Sequence, residues 1–117
     1  MAAQDFSVAG HFVDTSPNVR AVYEKLLLET RKFGAVTEEA KKTSIHLVSK
    51  SAFAGVSTRK TVLLLNIKSA AAILDPRFSK NEKVSAHRYH QELKLSDPSE
   101  VDDQLLGWLR QAYEMSG

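Results

Sequence analysis

Eight cations, Lys41, Lys42, Lys50, Arg59, Lys60, Lys68, Arg77 and Arg88, are the side chains whose type and spacing best define a chemistry in this chain. They crowd a stretch that reads as strands and turns, and Lys80 and Lys83 fall among them. Several cations at sheet turns can contact phosphates, which would give salt-dependent binding of a nucleic acid or another anion. The net charge of +2 hides the asymmetry behind this reading. Arg31 to Lys94 holds thirteen Lys or Arg against five Asp or Glu, whereas the two ends together hold three basic and nine acidic residues. Either the central half presents an anion-binding face, or each sign merely decorates a solvated surface. Aromatic residues near the cations are few (Phe53, Phe78 and Tyr89), and Phe53 is expected in the core, so a stacking platform for single strands is not indicated.

Other chemistries are weaker. His87 and His90 would share a face on a helix and could bind one metal, but on a strand an odd spacing puts them on opposite faces. His46 joins His87 only if its strand lies beside the last one, and surface or half-buried histidines without a metal are the simpler account. No metal site is assigned, since no cysteine or carboxylate pattern accompanies them. Ser44, His46 and Asp75 have the residue types of a triad, but nothing in the sequence places them together. There is no nucleophile elbow, Gly-rich phosphate loop or HExxH. No catalytic residue and no cofactor are therefore expected.

Composition sets the frame for these residues. A chain of 117 residues with 43% apolar and 26% charged residues is read as one globular domain, 1–117, with residues 1–14 as a loosely held lead-in. The absence of cysteine excludes disulfides and thiolate chemistry. No secretory signal and no membrane-length apolar run is seen, so a soluble cytoplasmic protein is expected.

The elements that must position the cations follow from periodicity. Ser16-Pro17 reads as a capped helix start, Val19, Val22, Tyr23, Leu26, Leu27 and Phe33 as its apolar stripe, and Gly34 as its stop, which predicts a helix over 17–32. Residues 35–39 can form a short strand. Residues 43–48 alternate, 51–56 return with Phe53 as anchor, and 61–67 are apolar on both faces, as for a strand covered on both sides. Residues 69–74 are ambiguous between a helical turn and a strand extension, 79–85 read as a mobile polar loop, and 86–95 alternate again. Asp97-Pro98-Ser99-Glu100 has the pattern of a capping box, and Val101, Leu105, Trp108, Leu109, Ala112 and Tyr113 supply a closing helical stripe. Negative charge at Asp102 and Asp103 suits the start of that helix. The expected architecture is α+β: a two-layer domain with an N-terminal helix, an antiparallel sheet of about four strands, and a C-terminal helix.

These pieces also carry a resemblance. VRAVYEKLLLETRKFGAV, KKTSIHLVSKSAFAGV, LLLNI, HRYHQELKL and VDDQLLGWLRQAYE, from Val19 to Glu114, resemble an uncharacterised bacterial family, a domain of unknown function. The resemblance implies a domain that occurs alone or appended to longer proteins, some nuclease-like or defence-related, with no activity or catalytic residue to carry over. In outline it is also similar to a group once compared with frataxin-type iron chaperones. Those would call for an acidic ridge on the first helix, and here Glu24 and Glu29 are too few and flank Lys25.

The reading that results is a non-catalytic binding or accessory module, with a protein partner or a second copy paired through a sheet edge. Its alternative is nucleic-acid or other anion binding through residues 41–88; a metal-binding protein or a small enzyme ranks below both.

Overall fold

A computed structural model of the chain describes residues 8–70 and 75–116. Part of the ambiguous 69–74 stretch therefore lies outside the described residues. Two helices, α1 (Pro17–Thr30) and α2 (Asp103–Ser116), flank six strands: β1 (Thr37–Ala40), β2 (Ile45–Val48), β3 (Ala52–Thr58), β4 (Leu63–Ser69), β5 (Phe78–Ser85) and β6 (Arg88–Leu95). The strands form one antiparallel sheet of order β1-β2-β3-β4-β6-β5. The α+β class, the two terminal helices and the antiparallel sheet are as expected, but the sheet has six strands rather than about four.

Of the strands beyond four, β1 falls on the short strand that residues 35–39 could form, and β5 lies over the residues expected to be a mobile loop. β5 is an edge strand, hydrogen-bonded to β6 alone and almost wholly exposed. With no face to bury, it carries no alternation for a periodicity reading to find.

Side chains alternate across the sheet in whole rows. Ile45, Val56, Leu65 and Leu93 are cross-strand neighbours from β2 to β6, and all are buried beneath the helices. The next row, Glu39, His46, Gly55, Asn66, Glu92 and Lys80, runs across all six strands on the opposite face. Both helices pack on the first face. Val19, Val22 and Leu26 of α1 and Leu105, Leu109 and Ala112 of α2 close one core with the sheet. The second face has no covering layer among the described residues. Thus β4 is not covered on both sides as its apolar run implied; its outer residues Leu64, Asn66 and Lys68 are only half-buried.

A bulge between β2 and β3 puts one extra residue, Phe53, opposite the Leu47–Val48 step. The bulge turns Phe53 into the core, where its ring meets Tyr113 of α2 edge-on at 5.3 Å. Its expected role as an anchor holds.

Both helix ends depart from expectation. Ser16 takes the cap conformation but its side chain makes no cap bond; its N–H instead donates to Lys60 O at 2.8 Å, tying the start of α1 to the β3–β4 turn. The helix ends at Thr30, so Gly34 is not its stop. Gly34 has φ 153°, and a Cβ there would overlap the Tyr113 hydroxyl, which donates to Ala35 O at 3.1 Å. It is needed where α2 closes on the end of α1. The Asp97–Glu100 capping box forms, but around a short 3-10 turn, Pro98–Glu100. The helix proper starts at Asp103, and Asp102 accepts from Leu105 N at 3.0 Å.

Candidate functional site

On the uncovered face, the polar row surrounds a pocket of about 380 Å³. His46 of β2 forms one wall, Asn66 of β4 the other, and Gly55 of β3 the floor between them. Lys68, His90 and Glu92 border the β4–β6 side, and Ser44 and Ser57 one end. The alternation that buries Ile45, Val56 and Leu65 forces these residues outward.

Gly55 makes the pocket. Its φ is not positive, so no backbone strain calls for glycine there. A Cβ at 55 would stand 3.8 Å from Asn66 Cβ and 3.9 Å from His46 Cδ2, ordinary contact distances. The strand would accept a side chain; the sequence leaves one out. A glycine inside a strand often marks the close approach of another group. The side chains of His46, Asn66, Lys68, His90 and Glu92 make no hydrogen bond or ion pair to a described residue, although each is half-buried. Donors (Lys68, Asn66, the imidazoles) and acceptors (Glu92, Asn66) are thus held on a sheet with their bonding capacity free.

The eight expected cations divide into groups. Lys42, Arg59 and Lys60 meet at the end of the sheet where the β1–β2 and β3–β4 turns lie side by side. With His11, Asp14 and Thr58 they line an open cleft of about 640 Å³. Lys41 neighbours them but pairs with Glu39 at 3.4 Å. Lys50 lies in the turn at the opposite end, and Lys68 and Arg88 border a small recess beside Met115. Lys68 alone of the eight also borders the Gly55 pocket.

Arg77 serves the fold. It is bonded to both Asp102 oxygens at 3.0 and 3.1 Å and to Glu100 O at 2.7 Å, and its guanidinium lies 5.9 Å from the Trp108 ring centroid. The Leu105 N–H and then Arg77 hold the Asp102 carboxyl below the usual range. Arg77 therefore joins the start of β5 to α2.

The weaker constellations do not assemble. Asp75 accepts from Arg77 N and from Gln104 of α2, on the helix side of the sheet, whereas His46 faces the uncovered side. His87 sits in the β5–β6 turn, and β2 and β6 are separated by β3 and β4, so His46 does not join it. Among the described residues no group of three His, Asp or Glu has metal-binding geometry. Nor is any helix among them long and apolar enough to cross a membrane. The free edges, β1 and β5, are protected against strand addition: β1 is four residues long with two glutamates, and β5 is charged and has two register shifts.

A two-layer α+β domain with both helices on one face and a polar pocket on the other is a scaffold that many functions share. Over residues 8–116 the chain matches the family described as "Domain of unknown function (DUF5655)", and it belongs to that family. Comparison with curated proteins and with solved structures gives no match.

Proposed function

We propose that this protein is a non-catalytic binding module that holds a small polar molecule on the uncovered face of its sheet. The observation that carries this reading is the pocket over Gly55, walled by His46 and Asn66, whose polar groups have no partner among the described residues. Its volume falls in the range of small-molecule sites, about 300–1,000 Å³. The test is a set of amide NMR spectra of the labelled chain with amino acids, dicarboxylates, sugar phosphates and nucleotides added class by class. At least one class is expected to shift the amides of His46, Gly55 and Asn66 and to be recovered unchanged. If no class moves those amides, the reading fails; if the compound is turned over, the protein is not a mere binder.

A second reading rests on the end cleft, where the side chains of Lys42, Arg59 and Lys60 take part in no ion pair with a described residue. Such a cluster suits a polyanion, including a nucleic acid, bound through its phosphates. Fluorescence anisotropy of a labelled single-stranded oligonucleotide is expected to show binding that weakens steeply with salt and is lost in Lys42→Glu/Lys60→Glu. No binding at low ionic strength would eliminate it.

A further inference from the structure

We infer that the pocket over Gly55 takes a free amino acid with a polar side chain, its carboxylate toward Lys68 and its ammonium toward Glu92, an assignment resting on the uncovered face being a small-molecule site. The first argument is the strand register. Across β4 and β6, Lys68 stands opposite His90 and Asn66 opposite Glu92, so Lys68 and Glu92 are diagonal neighbours on the outer face. Both line the pocket and both are half-buried, yet neither side chain makes an ion pair with the other or with any described residue. Diagonal positions of a sheet stand about 7–8 Å apart, so side chains rising from them hold their charges separate unless they lean together. A small group that bears both charges, bonded at each end over about 2.7–2.9 Å, bridges such a gap.

The second argument is electrostatic selection. Among the described residues that line the pocket, Lys68 is the one lysine or arginine and Glu92 the one carboxylate. A plain anion drawn to Lys68 meets Glu92 as a like charge, and a plain amine drawn to Glu92 meets Lys68 in the same way. Either encounter costs affinity, whereas a zwitterion meets both residues with the opposite sign. Glu82, the cross-strand neighbour of His90 on β5, is exposed and lies outside the pocket lining.

The third argument sets the orientation. Lys68 and Ala52 also line the small recess that holds Arg88, so the pocket continues past Lys68 to a second cation. The carboxylate belongs at that end, where His90, opposite Lys68, adds a ring N–H. With the ammonium at Glu92, the ligand's side chain turns over Gly55, between His46 and Asn66. Their imidazole and amide groups offer donors and acceptors, which suits a polar side chain.

The test uses the full labelled chain with L-glutamine, L-asparagine, L-serine and L-histidine as probes, and the N-acetyl and carboxamide derivative of each as controls. At least one of the four is expected to shift the amides of Gly55, Asn66, Lys68, His90 and Glu92 saturably. Removing its ammonium charge by acetylation, or its carboxylate charge by amidation, should weaken it about tenfold or more. Glu92→Gln should weaken the free amino acid to the same extent and leave its N-acetyl derivative no weaker. Lys68→Met should do the same, with the carboxamide as the derivative that is spared. The inference is overturned if either derivative binds as tightly as its parent, if acetate or inorganic phosphate shifts the same amides as strongly, or if Glu92→Gln binds unimpaired. Dicarboxylates, sugar phosphates or nucleotides filling the pocket while every amino acid fails would remove the ligand assignment and keep the binding site. Failure of every class would remove both.

Discussion

Replacing Gly55 with alanine should make the protein more stable. A glycine inside a strand costs about 0.5–1 kcal/mol relative to alanine, because its unfolded chain has more freedom to lose. That penalty is offset at some positions by a backbone that only glycine adopts, or by a neighbour that leaves no room. Neither applies at 55, where φ is not positive and the nearest atoms to an added Cβ lie at 3.8 and 3.9 Å. The whole gain of about 0.5–1 kcal/mol is therefore expected to appear, raising the melting temperature by about 2–5 °C for a chain of this size. Urea unfolding followed by circular dichroism measures it directly, with an unchanged m-value as the sign that the compact state is the same. Binding in the pocket should move the other way, since the floor rises toward the ligand. A residue that lowers stability and opens a site is what selection for binding leaves behind. If Gly55→Ala instead destabilises by about 1 kcal/mol or more, glycine is there for the backbone and the reasoning about the pocket is wrong.

Further outcomes follow from contacts away from the pocket. Gly34→Ala combines a glycine-favouring φ of 153° with overlap on Tyr113, and should cost about 2–4 kcal/mol in urea unfolding. Arg77→Ala should cost about 2–3 kcal/mol, mostly through the charged bond to Glu100 O. The half-exposed pair with Asp102 adds less than about 1 kcal/mol, which a double-mutant cycle with Asp102→Ala would isolate. Burial, and then its hydrogen bond to Glu38 at 2.5 Å, raises the Tyr23 pKa well above 10.0. The folded state holds that proton more tightly, so the contribution is intact below pH 10.0 and falls as pH rises beyond it, a slope that Tyr23→Phe should flatten. Asp97 and Asp102 have lowered pKa values, chiefly through bonds from Ser99 and from Leu105 N–H. What they contribute is present above pH 3.8 and is lost as pH falls through their lower folded values, measurable as an acid limb in denaturant midpoints.

Much of the fold was legible because burial leaves a period in the sequence. The stripe of α1, the alternation of β2 and β6 and the return at Phe53 all report a face turned to the core. What escaped had no such imprint. Beyond Phe78, β5 is almost wholly exposed and is a strand chiefly because β6 offers it hydrogen bonds. Arg77 looks like any other cation until Asp102, Glu100 and Trp108 are brought to it from more than twenty residues away. The candidate site was half legible. Alternation gives its strands and Lys68 is one of the eight cations, but charge alone does not point to the pocket. The informative signs are a glycine inside a strand at 55 and an asparagine amid the apolar run at 66. They become one feature only when register sets Gly55 beside both His46 and Asn66.

The strand order β4-β6-β5 also governs how the sheet comes together in time. From β1 to β4 each strand is joined to its neighbour by a short connection, and β5 and β6 form a hairpin of their own. No hairpin turn joins β4 to β6. The chain passes beyond the position of β6 to the outer edge and returns to fill the gap. Two locally assembled halves must then meet along that seam, where Leu65 faces Leu93 and Ser69 bonds Gln91. Bringing such distant partners together is the slow part of folding. Closing this seam is expected to be the slow step in refolding, and Asn66 and Glu92, which face each other across it, become neighbours only when it closes.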